Sequence, residues 1–413
     1  MPSLAMRLGM AWGRLNQRPW VTPLLLFFLF WALYAYTGAM VRNSYTAHVY
    51  LANAMLHGHL DIPDPPGHFE LVWFQNKAYL PYGMGPSLLM LPFVAIFGLS
   101  FHQGLFACGL GALTVAIWWR IIQHWDLDRE GRFWLFLVWA IGCPFWFYAG
   151  KNGATWPLMH MVTLFGLSLS MLDVYGKRRG WVAGLGLGIA MLARQNVILS
   201  LPFFAYMLIR PDADPATPAA AQPPADATRR EVGFIGTIAG FLAFNAAYNW
   251  ARFGTPTDNG YARFILGKDN PPFGIFSTQY LWKNFSGYFL SLPSWETLTI
   301  MGRIVPWPNP TYDGVNLFIS YPVILVALFA NWRQRANQLA LLTVVMIMTV
   351  YMFYYWSGWT QFGKRYFLDA LPFMMVLAAS GARKVGSDAL RRACLLGALV
   401  ELWGICWWTM KGW

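Results

Sequence analysis

Long apolar runs recur along the whole 413-residue chain, and many approach the ~20 residues that an α-helix needs to cross a bilayer. Only 12% of the residues are charged, which is about half the fraction of an average soluble domain. The runs are continuous and do not alternate between apolar and polar positions, as the strands of a membrane β-barrel would. The sequence therefore predicts an all-α polytopic membrane protein.

The net charge of +12 is explained by this class of protein. Lysines and arginines cluster in short loops between the apolar runs, as the positive-inside rule requires, so no nucleic-acid partner is predicted. The four cysteines lie within apolar runs and form no CxxC pair, which favours small core residues over metal ligands. The first run, residues 20–40, is too long for a signal peptide and is interpreted as an uncleaved helix.

The basic loops predict a topology of about eleven transmembrane helices. Arginines before the first helix place the N-terminus in the cytoplasm, so residues 42–85 form a large first external loop. Residues 86–99 span only about 21 Å, which is less than the bilayer core of ~30 Å. We expect them to insert partly and return to the outer face; if they crossed the bilayer, every later segment would be inverted.

The same pattern divides the chain into two modules. Residues 1–209 form an N-terminal transmembrane module, in which residues 181–209 are interpreted as two helices that meet at Arg194. An Ala/Pro/Asp-rich tract, residues 210–230, is predicted to be a flexible cytoplasmic linker. Residues 231–413 form the C-terminal transmembrane module, which carries a long external segment, residues 251–312.

The first external loop holds the acidic candidates for chemistry, Asp61, Asp64 and Glu70. A carboxylate near an apolar wall can act as a general base on an acceptor hydroxyl. The alternatives are a divalent cation held by these acids with a histidine, or a solvated acidic loop, which fits Asp64 between two prolines. His57, His59 and His68 lack a cysteine or a helical HxxxH spacing, so they are better explained as interfacial residues.

Four cations are candidates for binding a phosphate: Arg194, Lys77, Lys151 and Arg365. The predicted topology places all of them on the external side, together with the acidic loop. Arginine binds phosphate through two parallel hydrogen bonds and lysine binds it as a point charge. Each cation could instead extend to lipid headgroups or pair with an acid. No Walker motif, nucleophile elbow or GxGxxG loop occurs, which argues against an ATP-driven machine or a nucleotide enzyme.

Five stretches of the chain form a recognisable set: YLANAMLHGHLDIP, NKAYLPYGMGPSLLMLP, GLGLGIAMLARQNVILSLPF, AYNWARFGTPTDNGY and FGKRYFLDALPF. Together they resemble the GT-C-fold, polyprenyl-phosphate-sugar-dependent membrane glycosyltransferases, such as protein O-mannosyltransferases and the lipid A aminoarabinose transferase. The resemblance implies inverting transfer of a sugar at the external face, with a first-loop acid as base and basic residues on the donor phosphate. Mannosyltransferase-like members carry an Asp just after the first helix, where this chain has Arg42-Asn43-Ser44. The base must then come from Asp61 or Glu70, or the protein is not an active transferase.

The expected function is therefore transfer of a sugar from a polyprenyl-phosphate donor to a lipid, glycan or protein acceptor, without a cofactor but with a divalent metal left open. The expected location is a bacterial inner membrane, with the site facing the periplasm. The first alternative is a transporter or flippase for a lipid-linked or anionic solute, although no internal repeat is seen and the polar groups cluster at one face. The second is a ligase or polymerase of another membrane fold. Expected site residues are Glu70, Asp61 and Asp64 for catalysis and Arg194, Lys77, Lys151 and Arg365 for the phosphate.

Overall fold

The computed structural model describes residues 18–39, 44–151, 153–209, 226–300, 302–310, 313–358 and 361–410. Six helices in this part of the chain are long and apolar enough to cross a bilayer, so the protein is an integral membrane protein. They are Val21–Gly38, Gln103–Ile122, Thr155–Tyr175, Ala227–Phe253, Arg335–Phe353 and Ser387–Met410. Eleven full spans are thus not confirmed, because several apolar runs are divided into shorter helices, such as Trp181–Ala193 and Gln195–Ile209.

The N-terminal half consists of eight helices and one hairpin within the described residues. They are α1 (Val21–Tyr34), α2 (Ala47–Leu56), β1 (Val72–Phe74), β2 (Lys77–Tyr79), α3 (Gly85–Phe97), α4 (Gln103–Ile122), α5 (Arg129–Ile141), α6 (Thr155–Tyr175), α7 (Trp181–Ala193) and α8 (Leu201–Ile209). Short 3-10 segments occur at Gly98–Ser100 and Gln195–Ser200, and π-type turns at Ala35–Ala39 and Phe147–Lys151.

The C-terminal half has a second hairpin among its helices. Its elements are α9 (Ala227–Phe253), α10 (Tyr261–Lys268), α11 (Leu281–Phe285), β3 (Ser294–Ile300), β4 (Arg303–Asn309), α12 (Leu317–Ser320), α13 (Val323–Ala327), α14 (Arg335–Phe353), α15 (Leu371–Val385) and α16 (Ser387–Met410). The remaining turns are Thr278–Tyr280 and Arg365–Ala370, both 3-10, and the π-type Ser286–Leu290.

Two antiparallel hairpins correct the all-α prediction. In the first loop Val72 pairs with Tyr79, and the connecting Gln75 and Asn76 both have positive φ, at 49° and 59°. These values suit a two-residue hairpin turn, for which Asn is a favoured residue. In the second hairpin Ser294 pairs with Asn309, and Trp403 Nε1 of α16 donates to the Pro308 carbonyl at 2.7 Å. Both hairpins lie in loops that the sequence assigned to one face of the membrane.

The apolar run around Arg194 is broken as predicted. Helix α7 ends at Ala193, Arg194 is extended (φ −142°, ψ 105°), and a 3-10 turn leads into α8. The break places an arginine side chain between two helix ends. Such irregular backbone is tolerated within a membrane protein where it lines a cavity or is covered by protein.

Helix α9 overlaps the end of the predicted linker. Residues 210–225 lie outside the described residues, but α9 already begins at Ala227, so the last four residues of the 210–230 tract are helical. Arg230 Nε forms an ion pair with Asp226 Oδ2 at 2.8 Å, one helical turn away, which stabilises this first turn. The ion pair between Arg230 and Asp226 therefore favours a helix at the end of a tract whose composition predicted a flexible linker.

Helices of the two predicted modules pack against each other at several places. Phe203 of α8 meets Phe373 of α15 with ring centroids 5.2 Å apart. Helices α5 and α16 approach so closely that a Cβ on Gly397 would lie 2.0 Å from the Gly142 carbonyl oxygen. Small residues at such crossings let helix backbones touch, which is how membrane helices gain packing energy. Residues from both modules can therefore reach one site.

Candidate functional site

A cavity of about 580 Å³ lies where the broken run at Arg194 meets the first loop and the segment after α9. Its walls come from distant parts of the chain. They include Tyr45, Glu70, Tyr82 and Trp156 from the N-terminal half, Arg194 and Asn196 at the helix break, Arg252, Tyr261, Lys268 and Asp269 from the segment beginning at the end of α9, and Tyr351, Tyr354, Arg365 and Tyr366 near the C-terminal end of α14 and beyond it. Three sequence-predicted residues, Glu70, Arg194 and Arg365, thus line one cavity.

Arg194 is held by an ion pair with the buried Asp369. Its Nε atom lies 2.7 Å from Asp369 Oδ2, and the side-chain exposures are 12% and 0%. The same carboxylate accepts hydrogen bonds from the Tyr351 hydroxyl at 2.8 Å and the Asn196 amide at 3.2 Å, and Oδ1 lies 2.8 Å from His160 Nδ1. A buried carboxylate is tolerable when its oxygens are all bonded in this way. Asp369 therefore fixes the position of Arg194 and offsets its charge.

Two tyrosine rings support the same guanidinium. Tyr351 and Tyr366 are stacked with centroids 4.4 Å apart and planes within 6°. The Arg194 guanidinium carbon lies 5.3 Å from the Tyr366 ring centroid, and Arg194 Nη2 donates to the Tyr351 hydroxyl at 2.5 Å. An arginine held by a carboxylate and aromatic faces loses little further entropy on binding an anion.

The neighbouring cations Lys364 and Arg365 have different roles. Lys364 Nζ donates to the backbone carbonyls of Asp313 and Gly314 at 2.6 and 3.2 Å, so it ties two segments together. Burial lowers the pKa of Lys364 to about 8. Arg365 is also buried but lines the cavity, with its guanidinium carbon 5.1 Å from the Tyr366 ring centroid. Of the two, only Arg365 is placed to meet a ligand in this cavity.

Glu70 is the predicted first-loop acid that reaches the cavity. Its carboxylate forms an ion pair with Lys268, accepts a hydrogen bond from the Tyr82 hydroxyl, and accepts another from Trp156 Nε1 at 2.9 Å. Burial and the charge of Glu70 raise the pKa of Tyr82 well above its ordinary value, so this hydroxyl stays a donor. The exposed fractions of the Glu70 and Lys268 side chains are 23% and 50%, which leaves the carboxylate accessible.

The other predicted residues lie outside the cavity lining. Asp61 Oδ1 is 3.8 Å from Lys77 Nζ and 3.6 Å from His59 Nδ1, so these residues pair with one another. Asp64 is exposed, with a positive φ of 46°. Lys151 ends the π-type turn that packs against the first helix, where a Cβ on Gly38 would come within 2.6 Å of the Lys151 Cα. The structure therefore separates two acids and two cations from the remaining candidates, which line the cavity.

Sequence analysis missed three cavity residues, one near the end of α9 and two in the segment that follows it. Lys268 is the last residue of α10, and Asp269 is the C-cap residue that follows it. The Tyr355 hydroxyl donates to Asp269 Oδ2 at 2.5 Å. Burial of the Tyr355 hydroxyl is the main cause that raises its pKa, and this hydrogen bond is the second cause. Arg252, near the end of α9, is buried against the Tyr248 ring at 3.9 Å. The available signal was that Arg252 follows Asn245 and Asn249 at helical spacing in an otherwise apolar run.

No metal centre is apparent in the part of the chain that the structure describes, where no three His, Cys, Asp or Glu side chains group around a common point. The first-loop histidines have other contacts: His57 Nδ1 lies 2.8 Å from the Asn53 carbonyl, and His68 Nε2 lies 2.9 Å from the Ser44 carbonyl. Both histidines therefore contact backbone carbonyls near the first loop, as expected for interfacial residues.

Comparisons with known proteins give one distant match. No protein-family model matches the chain, and no curated protein matches it. The crystal structure of the Archaeoglobus fulgidus oligosaccharyltransferase in the apo form is similar with a TM-score of 0.45 and 12% sequence identity. The match covers 94% of this chain and 55% of that one, so this chain spans about half the length of the oligosaccharyltransferase chain. A functional proposal therefore rests on the cavity and its residues.

Proposed function

We propose that this protein is a membrane glycosyltransferase that moves a sugar from a polyprenyl-phosphate donor to a hydroxyl of a lipid, glycan or protein acceptor. One observation supports it above all. Glu70, Arg194 and Arg365 come from three distant stretches, carry the residue types that such a reaction needs, and line one cavity of about 580 Å³. The resemblance of these stretches to polyprenyl-phosphate-sugar-dependent transferases points to the same chemistry.

Arg365 and Arg194 are the proposed ligands of the donor phosphate. A guanidinium can form two charge-assisted hydrogen bonds to phosphate oxygens, which are about twice as strong as neutral ones. Both side chains line the cavity, and the Nε of Arg194 is paired with Asp369. We therefore assign the phosphate contact of Arg194 to its terminal Nη1 atom. Lys77 and Lys151 lie outside the cavity lining and are left out of this assignment.

Glu70 is the proposed general base. In the transfer step the acceptor oxygen bonds to the anomeric carbon while the bond from that carbon to the phosphate oxygen breaks. The bonding pair leaves with the phosphate, and the acceptor proton passes to a carboxylate oxygen of Glu70. Attack from the side opposite the phosphate inverts the anomeric centre. Lys268, Tyr82 and Trp156 hold the carboxylate in one orientation, which is the positioning that a general base requires.

The proposed cellular setting follows from the charge pattern. Basic loops favour the cytoplasmic side, which would place the cavity at the external face of a bacterial inner membrane. A lipid-linked donor could then enter from the bilayer while the acceptor arrives from the periplasm.

The test is a transfer assay with purified protein in liposomes that contain a polyprenyl-phosphate donor with a radiolabelled sugar. We expect the label to leave the donor and appear on an added lipid, glycan or peptide acceptor. Arg365→Gln should lower kcat/KM for the donor by about 10–100-fold, the range for losing a charged hydrogen bond. Lys283→Gln removes an exposed cation outside the cavity and should leave kcat/KM unchanged.

Two results would contradict the proposal. If the donor stays chemically intact but moves between the leaflets, the protein is a transporter of lipid-linked solutes. If Arg365→Gln keeps the wild-type kcat/KM while its melting temperature is also unchanged, the cavity does not bind the donor phosphate through Arg365.

A further inference from the structure

Carboxamide side chains are concentrated in one part of the cavity lining. Gln195 and Asn196 follow the helix break, Asn245 and Asn249 lie on α9, and Asn259 precedes α10. We call these five residues the carboxamide wall. A carboxamide carries both donors and acceptors but no charge, and a sugar hydroxyl is likewise both donor and acceptor.

Asn245 is the member of the wall whose polar side chain has no evident role in the packing of the fold. It lies near the middle of α9, whose surface around it is apolar, with Leu242 and Phe244 about half exposed. A polar side chain in a bilayer-crossing helix is costly unless it has a partner. Asn245 makes no hydrogen bond with any residue that the structure describes, although it faces the cavity. A partner must therefore come from water or a ligand in the cavity.

Two other members of the wall keep unused hydrogen-bonding atoms. Asn196 donates through its amide nitrogen to Tyr351 and Asp369, and Gln195 accepts through its oxygen from Asn259. Within the described residues the Asn196 oxygen and the Gln195 amide nitrogen have no partner. The wall thus offers at least one free acceptor, one free donor and a whole amide at Asn245.

The charged groups near the wall already have contacts within the protein. Glu70 is paired with Lys268, and Asp269 accepts a hydrogen bond from the Tyr355 hydroxyl. Arg194 is paired with Asp369, and its remaining hydrogen-bonding capacity is assigned to the donor phosphate. Arg252 donates through Nη1 to the Leu80 carbonyl at 3.0 Å and through Nη2 to Asn249 Oδ1 at 2.9 Å. A charged sugar would need an opposite charge beside it, since an unpaired charge at such a site is costly. None of the five wall residues supplies one.

We infer that the carboxamide wall selects a neutral, hydroxyl-rich sugar, as opposed to an amino sugar or a uronic acid. This inference rests on the proposed function and names the class of donor headgroup. Sites built to hydrogen-bond hydroxyls discriminate against ligands that shield their polar groups from water and leave them unpaired, which gives the wall a basis for selection.

The test is a binding series in detergent with four ligands on one polyprenyl chain: the bare phosphate and the phosphates of a neutral hexose, an amino hexose and a hexuronic acid. The neutral hexose should bind about 10-fold more tightly than the bare phosphate and than either charged sugar. Asn245→Leu should abolish this advantage and leave the Kd of the bare phosphate unchanged. Phe244→Leu, at the half-exposed position beside it and outside the cavity lining, is the control and should keep the wild-type pattern.

A second variant, Asn245→Asp, distinguishes the loss of the amide from a folding defect in Asn245→Leu. The added carboxylate should shift the preference towards the amino hexose, a gain that a damaged fold would not produce. The inference is overturned if a charged sugar binds as tightly as the neutral one, or if Asn245→Leu retains the neutral preference. If the bare phosphate and all three donors fail to bind to wild type, the proposed function itself fails, and the inference falls with it.

Discussion

Replacing Asp369 with asparagine removes the charge that offsets Arg194 while almost preserving side-chain shape. Arg194 would remain 12% exposed, with a positive charge and no carboxylate at its Nε. Breaking a buried ion pair from one side costs about 3–5 kcal/mol, because the remaining charge stays desolvated. We expect Asp369→Asn to lower the free energy of unfolding by that amount, measured by SDS titration of the protein in mixed micelles.

A double-mutant cycle assigns this loss to the pair. Arg194→Met combined with Asp369→Asn removes both charges, so the double variant should be more stable than the sum of the single losses by about 2–3 kcal/mol. Hydrogen bonds between membrane helices average only about 0.6 kcal/mol in such cycles. A coupling energy of about 2–3 kcal/mol would therefore show that Arg194 and Asp369 interact as charged groups. Asp226→Asn is the control, because its pair with Arg230 is 54% exposed on the acid side and should be worth about 0–1 kcal/mol.

The reasoning is refuted if Asp369→Asn loses no more stability than Asp226→Asn. A coupling energy near zero, with both single variants strongly destabilised, would show instead that His160 or Tyr351 is the partner on which Asp369 acts.

Variants at three further positions test helix packing and capping, each by the same unfolding titration. Gly397→Ala should destabilise by about 1–3 kcal/mol because its Cβ would meet the Gly142 carbonyl at 2.0 Å; an unchanged stability would contradict the close crossing. Gly236→Ala, with nothing within 4 Å, should be neutral or stabilise by up to about 1 kcal/mol; a loss would reveal a contact there. Glu401→Leu should cost about 1–3 kcal/mol by leaving the Phe147 amide unpaired, whereas Glu401→Gln keeps an acceptor and should cost less; equal losses would argue against the cap.

The membrane helices could be predicted because their signal is local. Apolar length alone identifies helices such as Gln103–Ile122 and Thr155–Tyr175, and the single charge at Arg194 predicts the break between α7 and α8. The count of spans could not be predicted, because a run of suitable length can still be divided by an arginine or a proline. Whether such a run crosses the bilayer depends on what packs against the break.

The candidate site could be predicted only in part, because its geometry depends on long-range contacts. Unusual cations and acids in an apolar chain marked Glu70, Arg194 and Arg365. Nothing local distinguishes Glu70 from Asp61, although only Glu70 lines the cavity. The partner that fixes Arg194, Asp369, lies in the other half of the chain. Lys268 was missed because its role depends on α10 packing over the first loop.

Glu70 tests the central claim most directly, namely that the cavity is where an acceptor hydroxyl is deprotonated during sugar transfer. The measurement is the single-turnover rate of sugar transfer from a polyprenyl-phosphate donor by wild type, Glu70→Gln and Asp64→Asn at matched amounts of folded protein. Asp64 is an exposed acid of the same loop outside the cavity lining. The account predicts that Glu70→Gln slows transfer by about 10²–10⁴-fold while Asp64→Asn matches wild type. Wild-type transfer by Glu70→Gln would contradict it.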